Sequence, residues 1–139
     1  MRKATPAEVV PTKPGTPFGG GIYMGRYFEG IEARALILAP RDEGEIKTTH
    51  ADALNQAKAC RIAEHKDWQV PSRLQALTLW LNRKALKKDQ SFEAAWYWTR
   101  DKYELDAGYA WIQSFGYGGQ DGIHVVTSHR ARFVRSVTI

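Results

Sequence analysis

Three residues near the C-terminus of this chain, Asp121, Ser128 and His129, are of the types that form a nucleophilic triad. A serine nucleophile needs a histidine within hydrogen-bond reach and a carboxylate that orients this histidine. Ser128 and His129, however, are neighbours in a segment predicted to be extended, so their side chains point to opposite faces. No nucleophile elbow surrounds the serine. We therefore expect no catalytic residue, and an enzyme is the least favoured class of function.

The histidines and the single cysteine offer metal ligands, but not at a workable spacing. Of the four histidines, only His124 and His129 are close in sequence, and Cys60 has no second thiolate to join it. A zinc site needs three or four ligands that converge on one point. The sequence therefore predicts no zinc site, no intrachain disulfide and no cofactor.

Acidic side chains in the last third could provide oxygen ligands for calcium. Asp101, Glu104 and Asp106 lie in one predicted loop, and Asp121 lies in another. Calcium takes six to eight oxygen ligands, most of them from one carboxylate-rich loop. Solvated loop carboxylates are the favoured interpretation, and no metal site is predicted.

The same third of the chain has residue types that are typical of recognition surfaces. A glycine-rich turn at residues 116–122 joins two predicted strands, and tyrosines lie on both sides of it. Tyrosine is common at binding surfaces because its ring buries a large area at a low cost in side-chain entropy. Trp111, in the same span, is assigned to the core. The candidate partner-binding residues are Tyr103, Tyr109, Tyr117, Gln120, Asp121 and His124.

Composition and charge restrict the class of protein. The chain has 139 residues, 43% of them hydrophobic and 25% charged, which suits one globular domain. No apolar run approaches the roughly 18 residues of a membrane span, and the N-terminus lacks the apolar core of a signal peptide. The net charge of +5 would suit nucleic acid. Because no nucleic-acid-binding motif accompanies this charge, nucleic acid is a weaker alternative than another partner.

The elements that must position these residues begin after a proline-rich segment. Residues 1–17 contain four prolines and are predicted to be a flexible arm, and residues 18–139 a single domain. Two apolar segments, residues 22–27 and 33–39, flank a turn at Gly30 and predict a hairpin.

Two helices are expected next, each with a polar N-cap. Thr49 begins the first, and Ser72 with Gln75 forms a capping box for the second. The residues predicted to be buried are Ala53, Leu54, Ala57 and Cys60 in the first helix and Leu74, Leu77, Leu81 and Ala85 in the second. Antiparallel strands are expected at residues 95–99, 109–115, 123–127 and 131–138, which completes an α+β layout.

Four motifs in this order carry a resemblance to a known family. They are DWQVPSR at residues 67–73, YWT at 97–99, AW at 110–111 with Phe115, and RFVR at 132–135. These motifs resemble the Trp-x-Leu-Pro-Thr/Ser-Arg, Tyr-Trp-Thr/Ser and Ala-Trp…Phe…Val-Arg motifs of the bacterial and phage family named after the Lcl C-terminal domain. The resemblance covers about residues 48–139 and implies a C-type-lectin-like fold.

The resemblance implies a non-enzymatic binding module that recognises a protein or a glycan through its C-terminal loops. Formylglycine-generating enzymes share the broader fold, but they use a pair of cysteines and this chain has only Cys60. A stand-alone phage inhibitor that occludes a host complex, such as one that handles nucleic acid, is the alternative. The implied location is the cytoplasm of a bacterial host or a virion, as a soluble protein without a membrane partner, and homo-oligomerisation is left open.

Overall fold

The structure is a computed structural model that describes residues 9–139. A hairpin comes first, helices follow, and strands complete the chain, so the predicted α+β class is confirmed. None of the described helices is long and apolar enough to span a membrane. The strands are β1 (Pro17–Phe18), β2 (Gly21–Glu29), β3 (Glu32–Leu38), β4 (Glu45–Thr48), β5 (Trp96–Lys102), β6 (Tyr109–Ser114), β7 (Gln120–His124), β8 (His129–Arg132) and β9 (Val134–Thr138). The helices are α1 (Arg41–Gly44), α2 (His50–Ala59) and α3 (Arg73–Asn82), with 3-10 turns at Ile62–Glu64, Arg83–Ala85 and Lys88–Gln90.

The predicted arm, residues 1–17, lies only partly within the described part of the chain, since residues 1–8 are outside it. In the remainder, the Gly15 N–H donates a hydrogen bond of 2.8 Å to the Tyr23 carbonyl. Val10 packs against the core of the domain. This segment therefore runs beside β2 and provides the short strand β1.

The predicted hairpin is confirmed as β2 and β3, which pair antiparallel across the turn at Gly30. Its register shifts at Gly25, where φ is +110° and the backbone bends toward α3. The Asn82 side chain fills this bend and donates to the Met24 carbonyl at 2.9 Å. A Cβ on Gly25 would come 2.5 Å from the Asn82 amide nitrogen, so the close approach requires glycine.

The strands form two sheets, with the orders β1-β2-β3-β9 and β4-β8-β5-β6-β7. The single strand predicted at residues 131–138 is wrong, because the chain changes sheets at Phe133. The Phe133 N–H donates to the Gly44 carbonyl, and its own carbonyl accepts from the Ala39 N–H. As a result β8 joins the second sheet, where it pairs parallel to β5, and β9 joins the first.

The first long helix follows the prediction at its start and over most of its buried face. α2 begins after Thr49, but it is the neighbouring Thr48 hydroxyl that donates to the Asp52 carboxylate, at 2.7 Å. Ala53 and Ala57 are fully buried, whereas Leu54 and Cys60, predicted to join them, are only partly buried at the core margin.

The start of α3 is confirmed and its predicted buried face is wrong. Ser72 and Gln75 form the capping box. Leu74, Leu77 and Leu81, predicted to be buried, are 48%, 38% and 69% exposed. The face turned inward has Gln75, which is 2% exposed, with Ala76, Thr78 and Leu79.

Hydrogen bonds explain why a glutamine replaces the leucines on the buried face of α3. The Gln75 amide donates to the Tyr27 hydroxyl at 2.7 Å, and its carbonyl oxygen accepts from the Ser72 N–H and from the Arg100 guanidinium. A buried amide with these partners avoids the cost of an unsatisfied polar group. The helix therefore rests on the hairpin through a polar contact, and its leucines point outward.

Candidate functional site

The alternation of β6 separates a core face from an outward face. Ala110 and Ile112 are buried in the main core, while Tyr109 and Trp111 are only partly buried on the opposite face. This alternation follows from the two-residue period of a strand. The assignment of Trp111 to the core is therefore wrong, since the side chain lies on the outward face with its indole N–H bonded to the exposed Glu104.

Glycine on the neighbouring strand makes room for another ring on this face. Gly122 of β7 pairs with Trp111 of β6. A Cβ on Gly122 would come 2.5 Å from a ring carbon of Tyr103, so the ring lies where a side chain of β7 would stand. The Tyr103 and Trp111 ring centroids are 4.7 Å apart, within the range of favourable aromatic contacts.

The row of rings continues along the sheet beyond Tyr103. The centroids of Tyr103 and Tyr109 are 6.4 Å apart, and those of Tyr109 and His124 are 5.3 Å apart. Three of the predicted partner-binding residues therefore meet here. We call the surface formed by Arg73, Tyr103, Tyr109, Trp111 and His124 the aromatic surface.

A cation from α3 closes one end of the aromatic surface. The Arg73 guanidinium lies over the Trp111 ring, 3.5 Å from its centroid, which is a cation–π contact. Its Nε donates to the Gln120 carbonyl oxygen at 2.9 Å. The Gln120 side-chain amide in turn donates to the backbone carbonyl of Arg73 and to the side-chain carbonyl of Gln113. Gln120 is thus occupied in holding Arg73, and its position favours support of the surface over contact with a partner.

Carboxylates surround a small cavity beside the rings. The cavity has a volume of about 210 Å³ and is lined by Tyr103, Asp106, Tyr109, Asp121 and Gly122. One oxygen of Asp106 accepts from the Gly108 N–H and one of Asp121 from the Gly122 N–H. The second oxygen of each carboxylate has no hydrogen-bond partner among residues 9–139.

Glu104 adds a third carboxylate at the Trp111 edge. It accepts from the indole N–H at 3.0 Å, and this hydrogen bond lowers the pKa of the Glu104 carboxyl below its ordinary value. The group is therefore ionised at neutral pH. The aromatic surface thus provides ring faces and one stacked cation, and the carboxyl groups beside it provide hydrogen-bond acceptors.

Tyr117, also predicted to bind a partner, lies apart from this cavity. Its ring is 70% exposed and makes an edge contact with Trp96, with centroids 5.6 Å apart. The adjacent Gly118 packs against Trp80 of α3, which is covered by the Arg83 guanidinium at 3.3 Å from the ring centroid. Tyr117 is therefore separate from the other five candidates, which lie in the aromatic surface or directly beside it.

α3 also has a stripe of leucines that the sequence predicted to be buried. Leu74, Leu77 and Leu81 follow each other at helical spacing and lie opposite the buried face of α3. We call these three residues the leucine face. α3 contains no acidic residue, and Arg83 and Lys84 follow directly after it. The missed signal was the second apolar register, Ala76 and Leu79, which is the one that packs inward.

The groups considered for catalysis and metal binding do not come together. His129 Nε2 is 3.0 Å from the Thr127 hydroxyl, and its ring makes an edge contact with Trp98. Within residues 9–139 it makes no hydrogen bond with Ser128 or Asp121. The same residues contain no group of three or more His, Cys, Asp or Glu that could hold a metal ion.

No protein-family model matches this chain, and no curated protein matches it in sequence.

Proposed function

We propose that this chain is a non-enzymatic binding module with a C-type-lectin-like fold, and that it holds a glycan on the aromatic surface. The observation that carries the proposal is the stack of Arg73, Trp111 and Tyr103 beside a cavity flanked by Asp106 and Asp121. The hairpin, two helices and trailing strands are compatible with that fold family.

The chemistry of the cavity favours a sugar over a purely apolar ligand. A pyranose ring has an apolar face that packs on Tyr or Trp rings, and hydroxyls around its edge that donate hydrogen bonds. The unpaired oxygens of Asp106 and Asp121 are acceptors for such hydroxyls. The volume of about 210 Å³ accommodates one monosaccharide unit, so the ligand is expected to present a terminal or protruding sugar.

Metal-independent binding is part of the proposal. Asp106 and Asp121 each use one oxygen on a backbone N–H, which leaves too few oxygen ligands for calcium at the cavity. Glycan binding is therefore expected to be unchanged in excess EDTA.

A matched pair of tyrosine substitutions tests the proposal. Tyr103→Ala removes a ring of the cavity and is expected to weaken binding to a glycan-array hit by roughly tenfold or more. Tyr117→Ala removes an equally large ring outside the cavity and is expected to leave this affinity unchanged. Both are measured by isothermal titration with the purified glycan. Equal losses in the two variants, or no glycan bound by the parent protein, would refute the proposal.

The leucine face favours a second candidate, an inhibitor that occludes a host protein complex. Three exposed leucines at helical spacing form one apolar stripe, whereas single exposed apolar residues are ordinary on a surface. Because α3 lacks acidic residues and Arg83 and Lys84 follow it, the partner would present an apolar surface with an acidic rim. Leu77→Glu is expected to abolish capture of such a protein from host lysate, while Tyr103→Ala preserves it. The opposite pattern would reject the leucine face as the interface.

A further inference from the structure

A second cavity lies between α2 and the segment before α3. Its volume is about 330 Å³, and it shares no lining residue with the cavity at the aromatic surface. The apolar part of its wall is formed by Leu54 and Ala57 of α2 and by Trp68 and Val70. Arg100 of β5 also lines it.

The arginines of this protein show that Arg100 is unusual. Eight arginines in residues 9–139 are partly or fully buried, and seven of them have a carboxylate or an aromatic ring as partner. Arg100 has neither within the described chain. The arginines with an ion pair are Arg34, Arg41, Arg130 and Arg135, and those over a ring are Arg73, Arg83 and Arg132.

The hydrogen bonds of Arg100 leave most of its donors unused. One terminal nitrogen donates to the Val70 carbonyl at 3.1 Å and to the Gln75 carbonyl oxygen at 2.9 Å. A guanidinium has five N–H donors in a planar fork, and Nε and the other terminal nitrogen of Arg100 have no acceptor among residues 9–139. The two hydrogen bonds hold the Arg100 side chain in place. The N–H groups on Nε and on the second terminal nitrogen therefore have a fixed orientation and are available to a ligand.

A charge that is partly withdrawn from water without a counterion lowers stability unless an anion pairs with it. We propose that the cavity binds an apolar carboxylate, a small molecule whose hydrocarbon body packs on Leu54, Ala57 and Trp68 while its carboxylate pairs with Arg100. The proposal is independent of the glycan site, since the two sites have no lining residue in common.

The chemical class follows from the shape of the donor and the size of the cavity. The planar fork of arginine matches the two oxygens of a carboxylate. A dry protein cavity of about 150 Å³ holds benzene, so a cavity of about 330 Å³ accommodates a body of roughly eight carbons with part of it toward solvent. Lys58 at the wall adds a second positive charge that favours an anion over a neutral ligand.

Isothermal titration calorimetry of the protein with octanoate, 1-octanol and inorganic phosphate tests this site. Octanoate is expected to bind in a saturable manner, and octanol and phosphate at least about tenfold more weakly, because each provides only one of the two contacts. Equal binding of octanoate and octanol would show that Arg100 contributes nothing and would overturn the proposal, as would the absence of saturable octanoate binding.

Two variants and a control separate loss of the site from loss of the fold. Arg100→Gln is expected to weaken octanoate binding about tenfold or more, while Arg61→Gln, an exposed arginine just after α2, is expected to have no effect. Because Arg100→Gln also loses structural hydrogen bonds, Ala51→Trp provides a second test. Ala51 is exposed and lines the cavity, so the indole would fill it and leave Arg100 intact. Unchanged octanoate binding in Ala51→Trp would contradict the proposal even if Arg100→Gln failed to fold.

Discussion

The aromatic surface and the leucine face begin at adjacent residues of α3, Arg73 and Leu74, yet they differ in almost every physical property. At the aromatic surface, rings and carboxyl groups line a small cavity, and the arginine is fixed over a ring. The leucine face is a helix surface without acidic residues. One helix start therefore contributes to a site suited to a small polar ligand and to another suited to a protein.

The difference arises from the direction in which α3 packs. Gln75 is turned inward to Tyr27 and Arg100, and this contact fixes the rotation of the helix about its axis. Arg73 is then directed at Trp111, while the leucines are directed at solvent. The two surfaces therefore differ because α3 buries the polar side chain of Gln75 and exposes its leucines.

The largest effect is expected from breaking the buried contact. Gln75→Ala removes the buried hydrogen bonds to the Tyr27 hydroxyl and to the Arg100 guanidinium, and should lower the free energy of unfolding by about 2–4 kcal/mol. Leu81→Ala removes a side chain that is 69% exposed, and its effect should stay within about 0.5 kcal/mol. Urea denaturation of both variants checks this order. A Leu81→Ala protein that loses as much stability as Gln75→Ala would mean that the leucines are buried.

A pair of glycine substitutions should separate the two surfaces from each other. Gly122→Ala places a Cβ where the Tyr103 ring lies, so glycan binding should fall about tenfold with little loss of stability. Gly118→Ala instead meets Trp80 at 2.4 Å and has a φ of +91°, so it should cost about 1–3 kcal/mol of stability and leave the glycan affinity unchanged. Calorimetric titration and thermal unfolding give both quantities for each variant. If the two variants behave alike, the division of the site is wrong.

A smaller effect is expected from the two stacked arginines. Arg73→Ala removes the cation over Trp111 and the bond to Gln120, and should weaken glycan binding about fivefold, as a cation–π contact of about 1 kcal/mol implies. Arg83→Ala removes the matching contact over Trp80 and should leave glycan binding as it is. The two affinities, measured side by side, sharpen the assignment of Arg73 to the aromatic surface. A loss of glycan affinity in Arg83→Ala alone would contradict this assignment of Arg73.

The smallest effect concerns pH and the strands beneath the aromatic surface. His50 and His129 both contact Trp98, with ring centroids 5.1 and 5.0 Å from it, and burial lowers the pKa of both histidines. The unfolded chain therefore binds protons more readily than the folded protein does. As a result, the contribution of the two histidines to the free energy of unfolding is complete above pH about 6.5 and declines as the pH falls below it.

Hydrogen exchange can locate this pH effect. At pH 5, amides of β5 and β6 should lose protection more than those of α3, since Trp98 pairs with Ile112 in the second sheet. His50→Gln keeps a donor for the Thr99 carbonyl, which His50 Nε2 contacts at 2.9 Å, and removes the titrating group. In this variant the loss of amide protection at pH 5 should be smaller. An unchanged loss would exclude His50 as the source of the pH effect.

Local signals in the sequence predicted much of the fold. The hairpin at Gly30 and the capping box of Ser72 and Gln75 depend on residues close together in the chain, and the structure confirms both. These features are decided by backbone geometry and short-range hydrogen bonds.

The predictions were wrong where a contact between residues far apart in the sequence selects one of two locally favourable structures. α3 has two apolar registers, and the contact of Gln75 with Tyr27, 48 residues away, selects the one without the leucines. The crossing between sheets at Phe133 likewise depends on backbone partners near Gly44 and Ala39. At the site, Tyr103, Tyr109, Asp121 and His124 were predicted together, but Arg73 was missed because it reaches the surface from another element.

An NMR titration of the isotopically labelled protein with a glycan-array hit is the most direct test of the central proposal. The largest shifts are expected at the Trp111 indole N–H and at the amides of Tyr103, Tyr109 and Gly122. The amides of Leu77 and Leu81 should not move, and the same pattern should appear in EDTA. Shifts confined to the leucine face, or a pattern that disappears in EDTA, would contradict metal-independent glycan binding at the aromatic surface.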